Sequence, residues 1–155
     1  MSNLSLYLLL FQDGQKACEE GFGYLVEFDE NMNENDFAHY FEMIIKKFDL
    51  RVPYAYLNDL KNHFDFYIGL TDLQKEDEWK WSSSGKIFDM TRNGEKWAAG
   101  EPNGHKQEDC SYIKINQKDA YERHPRVYPE HKIPKLGDIS CETKLTIICQ
   151  RRVIP

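Results

Sequence analysis

At 155 residues and 18.4 kDa the chain is long enough for one domain with its own core and too short for two of ordinary size. Hydrophobic residues at 41% and aromatics at 14% exclude a disordered chain, and 26 acidic against 20 basic residues, a net charge of −6, exclude a general binder of nucleic-acid phosphates. The four cysteines, Cys18, Cys110, Cys141 and Cys149, form no CxxC pair, which disfavours zinc-ribbon and thioredoxin chemistry and points to two disulfides in a secreted or extracellular protein.

The start, MSNLSLYLLLF, is apolar from Leu6 to Phe11 like the core of a signal peptide, yet no Lys or Arg precedes it and no small-residue cleavage site follows. An edge β-strand is the other reading. Residues 1–12 are therefore set apart as a strand or signal remnant, and 13–155 as the domain. No other run approaches the length needed to span a bilayer. DGQKACEE predicts a short helix ending near Gly21, and Tyr24 to Phe28 alternates as a strand does. In NMNENDFAHYFEMIIKKF, Phe37, Phe41, Ile44 and Phe48 recur at helical spacing; Asn31 and Glu34 have the offset of a capping box, and two lysines close the last turn.

FDFYIGLTD then reads as a buried strand stopped at Asp72, and in EWKW the rings of Trp79 and Trp81 share one face while Lys80 points away. From there to Cys110 the Ser-, Gly-, Asn- and Pro-rich chain predicts mostly loop. Cys110 to Ile115 and Lys144 to Cys149 are the remaining predicted strands. Between them AYERHPRVYPEHKIPK, with three prolines and several basic residues, predicts an exposed, irregular and solvated loop. No internal repeat appears.

Chemistry concentrates in KWAAGEPNGHKQEDC, which sets Glu101, Asn103, Glu108 and Asp109 within one short loop. Such carboxylates repel one another unless water or a cation separates them. Ca²⁺ takes six to eight oxygens at about 2.3–2.6 Å, from carboxylates, amide carbonyls and backbone carbonyls. No GxSxG, HExxH or phosphate loop is present, so an enzyme is not expected. His105 has no second histidine at metal-ligand spacing and reads as a loop residue. The three tryptophans read as packing residues.

Cys18, YIGL, WKW, EPN, EDC, GDISC and TIIC, in that order from about Asp13 to Gln150, make the chain resemble the C-type lectin-like domain. The resemblance implies an α+β fold of two helices flanking small antiparallel sheets, a long loop region carrying the ligand site, and the disulfides Cys18–Cys149 and Cys110–Cys141. In calcium-dependent members a Glu-Pro-Asn triplet with a cis bond before the proline supplies ligands of a sugar-binding Ca²⁺, which carries over to Glu101, Pro102 and Asn103. Glu108 and Asp138 complete most of that shell. The same four side chains, Glu101, Asn103, Glu108 and Asp138, would meet the sugar, each carboxylate accepting from a hydroxyl and the amide donating to one. In the family this triplet goes with mannose-type sugars. An auxiliary calcium site is matched by Asp72, Glu76, Glu108 and Asp109, with Gly104 where that site carries an acid.

Two departures stand out. The family's Trp-Asn-Asp reads Leu136-Gly137-Asp138, so Gly137 replaces an asparagine that both binds the ion and donates to the sugar; Gly137→Asn is expected to restore both. The segment before Cys18 is also short, so that the family's first strand is expected to be missing or replaced. These readings give a calcium-dependent binder of mannose-type glycans, with copies in a homo-oligomer supplying avidity to a weak site. The alternative is a lectin-like domain that binds a protein partner, with calcium absent or structural.

Overall fold

The computed structural model describes residues 5–48, 65–104, 107–114 and 134–151. Two disulfides, Cys18–Cys149 and Cys110–Cys141, join the pairs that the resemblance implies. Helix α1 runs Phe11–Glu20, opening at Phe11 instead of Asp13. Ahead of it Ser5–Leu9 form strand β1, which pairs antiparallel with β7, Leu145–Ile147. A first strand is thus present, and the 12/13 boundary falls inside α1.

Strand β2 is short, Gly23–Leu25, and pairs with β8, Cys149–Arg151. The predicted single strand from Lys144 to Cys149 is in fact two, β7 and β8, belonging to different sheets. Helix α2, Glu34–Lys47, is capped two residues later than the sequence suggests: Asn33 accepts the Asp36 amide at 2.8 Å. The return bond of a capping box at Asn31 is not made, because the Asn31 amide donates to the Asp29 carboxylate at 2.9 Å and the Glu34 carboxylate accepts from Lys135 instead. The helix buries Phe37, Phe41 and Ile45, with Ile44 and Phe48 packed at the edge.

Strand β3, Phe66–Thr71, is buried along its whole length and sits centrally. The sheet order is β1-β7-β3-β5-β6, with β4, Lys80–Trp81, also on β3; β5 is Cys110–Lys114 and β6 is Lys135–Ile139. β6 falls in a stretch read as loop and metal ligand. On one side of this sheet Phe28, Phe37, Phe41, Trp79, Trp81, Trp97 and Leu136 form an aromatic core. A second cluster holds Phe11, Tyr67, Tyr112, Leu145 and Ile147.

Two polar devices shape the loops. The Tyr67 hydroxyl donates to the Thr143 carbonyl, pinning the turn beside Cys141. The Glu30 carboxylate accepts from Trp81 Nε1 at 3.0 Å and from the Asp89 amide and Asn93 Nδ2 at 3.1 Å each. Lys96, 1% exposed, reaches Asn93 Oδ1 at 2.5 Å and lies 5.3 Å from the centre of the Phe28 ring. This network, with Lys96 and Asn93 buried at its centre, fixes the base of the loop that continues into Glu101. The basic run, His105 and most of the Ala120–Lys135 insertion lie outside the described residues.

Candidate functional site

The loop that carries Glu101 and Asn103 is hung on β6. The Ala98 amide donates to the Leu136 carbonyl at 2.8 Å, and Gly100, with φ of 81°, adopts the left-handed turn that lets the chain double back. The Glu101–Pro102 bond is cis. Together these bring Glu101, Asn103 and Asp138 onto one another across 35 to 37 residues of sequence.

The Asp138 carboxylate accepts the Asn103 amide at 3.0 Å and the Gly104 amide at 2.7 Å. In return the Asp138 amide donates to Glu101 Oε2 at 3.0 Å, and Asn103 Nδ2 donates to Glu101 Oε1 at 2.8 Å. Burial raises the Glu101 carboxyl to about 7, helped by its contact with Asp138. Burial acts on Asp138 in the same direction, but hydrogen bonding with Glu101 and the Gly104 and Asn103 amides outweighs it and holds Asp138 below the ordinary range. The two carboxyls titrate as a coupled pair, in which the proton is held more readily on the Glu101 side.

Glu108 lies beside this pair, its carboxyl raised by burial and by the Asp138 charge. Its side chain covers Gly104, where an added Cβ would come within 2.2 Å of Glu108 Cβ, Cγ and Oε1. A larger residue at 104 would displace Glu108, which gives a physical reason for glycine at that position.

The auxiliary set divides. Asp72, Glu76 and Asp109 bring one carboxylate oxygen each within 4.8 Å of one another, while Glu108 goes with Asp138 instead. Asp72 is 4% exposed; its Oδ2 accepts the Asp77 amide at 3.0 Å, but Oδ1 is buried without a hydrogen-bond partner, as is Asp109 Oδ1. Burial, then Asp109 and Glu76, raise the Asp72 carboxyl to about 7. Buried carboxylate oxygens with no donor are costly unless a proton or cation meets them, so an all-oxygen set of this kind suits a hard cation such as Ca²⁺. Among the described residues no other three His, Cys, Asp or Glu ligand atoms lie so close together.

Gly137 is not an empty place. Tyr112 stands opposite it across β5 and β6, and a Cβ at 137 would lie 2.8 Å from Tyr112 Cε1. The expectation that Gly137→Asn simply restores a ligand therefore meets a ring in the way. Sequence reasoning missed Tyr112 because β6 was not read as a strand; an aromatic facing a glycine across paired strands was the available signal.

The lectin C-type domain family model matches residues 8–151. Horse E-selectin is 32% identical over 95 residues, 61% of this chain, and the chain spans 13% of that protein's length. The mouse scavenger receptor C-type lectin carbohydrate-recognition domain is 25% identical with a TM-score of 0.59, covering 99% of this chain and 91% of that one. Its human counterpart is 25% identical with a TM-score of 0.58, over 97% and 90% of the two chains. Human lithostathine, at 18% identity and a TM-score of 0.61 over 98% and 83%, shares the fold. No described helix is long and apolar enough to cross a membrane. The chain belongs to the lectin C-type domain family, whose members are carbohydrate-binding domains and not enzymes, generally bind Ca²⁺, and are typically extracellular or displayed at the cell surface.

Proposed function

We propose that this domain binds mannose-type sugars in a calcium-dependent manner, with Glu101, Asn103, Glu108 and Asp138 holding the ion and contacting the sugar. The observation that carries the reading is the meeting of Glu101, Asn103 and Asp138 around a cis Glu101–Pro102 bond, with β6 and the loop exchanging hydrogen bonds. The ion, when bound, supplies a positive centre to which two vicinal hydroxyls coordinate. The protein does the discriminating. Glu101 and Glu108 accept from those hydroxyls, Asn103 Nδ2 donates to one, and Asp138 holds the Asn103 and Gly104 amides so that the loop keeps its shape. A second ion is assigned to Asp72, Glu76 and Asp109, where two buried oxygens lack donors.

The disulfides support secretion, and avidity through several copies in an oligomer follows from the weakness of a single shallow sugar site. Retention on mannose resin in calcium, with release by chelator, tests the reading. A protein that binds calcium by calorimetry yet passes through the resin, and through other sugar resins, carries a structural ion and a protein-binding role instead. Gly137 is the observation that favours this second reading, because it removes one side chain from the site.

A further inference from the structure

Position 137 contributes no side chain to the site, and β5 fills the space. Tyr112 and Gly137 are opposed in the β5–β6 ladder, as are the next pair, Ser111 and Asp138. Measured from the place where a residue-137 Cβ would stand, Tyr112 Cε1 is 2.8 Å away, Cζ 3.2 Å and the hydroxyl oxygen 3.3 Å. The outer half of the ring thus crosses the root of any side chain at 137, and the hydroxyl ends beside it, one residue along β6 from the carboxylate that organises the loop. Burial, followed by the charges of Asp65, Glu101, Glu108 and Asp138, raises the phenol above its ordinary value, so it keeps its proton at neutral pH.

Resting on the calcium-dependent sugar reading above, we propose that Tyr112 is a specificity-determining residue that takes over the donor role left open by Gly137, its phenolic O–H donating to one hydroxyl of the bound sugar. The phenol comes from β5 and not from β6, and it carries no charge. It would serve the sugar without adding a ligand to the ion.

Tyr112→Phe tests this, since it keeps the ring over Gly137 and removes one donor. Calcium affinity by calorimetry and the melting midpoint should stay within error of the parent, while the Kd for methyl mannoside rises about threefold to tenfold, the span of one net hydrogen bond. Unchanged sugar affinity overturns the proposal. A parallel loss of calcium affinity also overturns it, because Tyr112 would then support the ion site and not the sugar. Gly137→Asn alone should lower the midpoint and weaken sugar binding, since its amide must displace the ring. Combined with Tyr112→Ala it should recover sugar affinity, and a double variant that folds without recovery counts against the exchange of roles. A parent with no chelator-sensitive mannose binding sinks the underlying reading and this proposal together; equal sugar affinities in parent and Tyr112→Phe sink this proposal alone.

Discussion

At the scale of single residues, the two acidic sites differ in how they hold charge. Asp138 has its carboxylate satisfied by two backbone amides, whereas Asp72 Oδ1 and Asp109 Oδ1 are buried without donors. Asp72→Asn should therefore act in opposite directions according to calcium. In chelator it relieves repulsion among three carboxylates and should raise the melting midpoint; in millimolar calcium it removes a charged ligand and should lower it. A change of the same sign in both conditions would mean that no ion is held there. At the other site, Glu101→Gln and Asp138→Asn should each weaken calcium binding at least tenfold by calorimetry, since water replaces a charged oxygen poorly. Asp138→Asn carries an added cost, because its amide can no longer accept from two backbone N–H groups with both atoms.

At the scale of elements, each disulfide secures a different part of the molecule. Cys18–Cys149 closes 131 residues between α1 and β8, while Cys110–Cys141 closes 31 and sits where β5 and β6 emerge next to Asp109 and Asp138. Replacing Cys18 and Cys149 by Ala should lower global stability by about 2–5 kcal/mol, read by denaturant unfolding. Replacing Cys110 and Cys141 should cost less stability and more calcium affinity, because the strands that hold Asp109 and Asp138 lose their tie. Equal effects of the two pairs on both measurements would contradict this division. The same elements show what was legible in advance. Helix α2 and strands β3 and β5 announce themselves because local pattern and tertiary role agree in them. β6 does not: Lys135, Gly137 and Asp138 are poor strand formers, and the strand exists because Leu136 is buried and β5 offers a ladder. The cap of α2 also depends on contacts distant in sequence, since Glu34, the expected partner of Asn31, accepts from Lys135. The triplet and the acids of both proposed sites can be picked out as residues; the face-to-face placement of Tyr112 and Gly137 needs the register.

At the scale of the whole molecule, an acidic chain of net charge −6 concentrates carboxylates at two places and raises Asp72 and Glu101 to about 7 each. In the unfolded chain these groups titrate near the ordinary carboxylate value, about 4. Between about pH 4 and 7 the folded protein therefore binds more protons than the unfolded one, and stability falls as pH rises through that window. The stabilisation is fully present below the unfolded value and is lost once both groups have ionised in the fold. Calcium held at the proposed sites would reverse the slope, since it binds the ionised forms and displaces their protons. In chelator the melting midpoint should thus be several degrees lower at pH 8 than at pH 5, and calcium should raise it at pH 8 far more than at pH 5. Calcium titrations near pH 7 in two buffers of different ionisation enthalpy should differ, reporting proton release on binding. A chelator profile that stays flat from pH 5 to 8, together with buffer-independent heats, would show that neither carboxyl holds its proton into the neutral range and that the acidic loops are simply solvated.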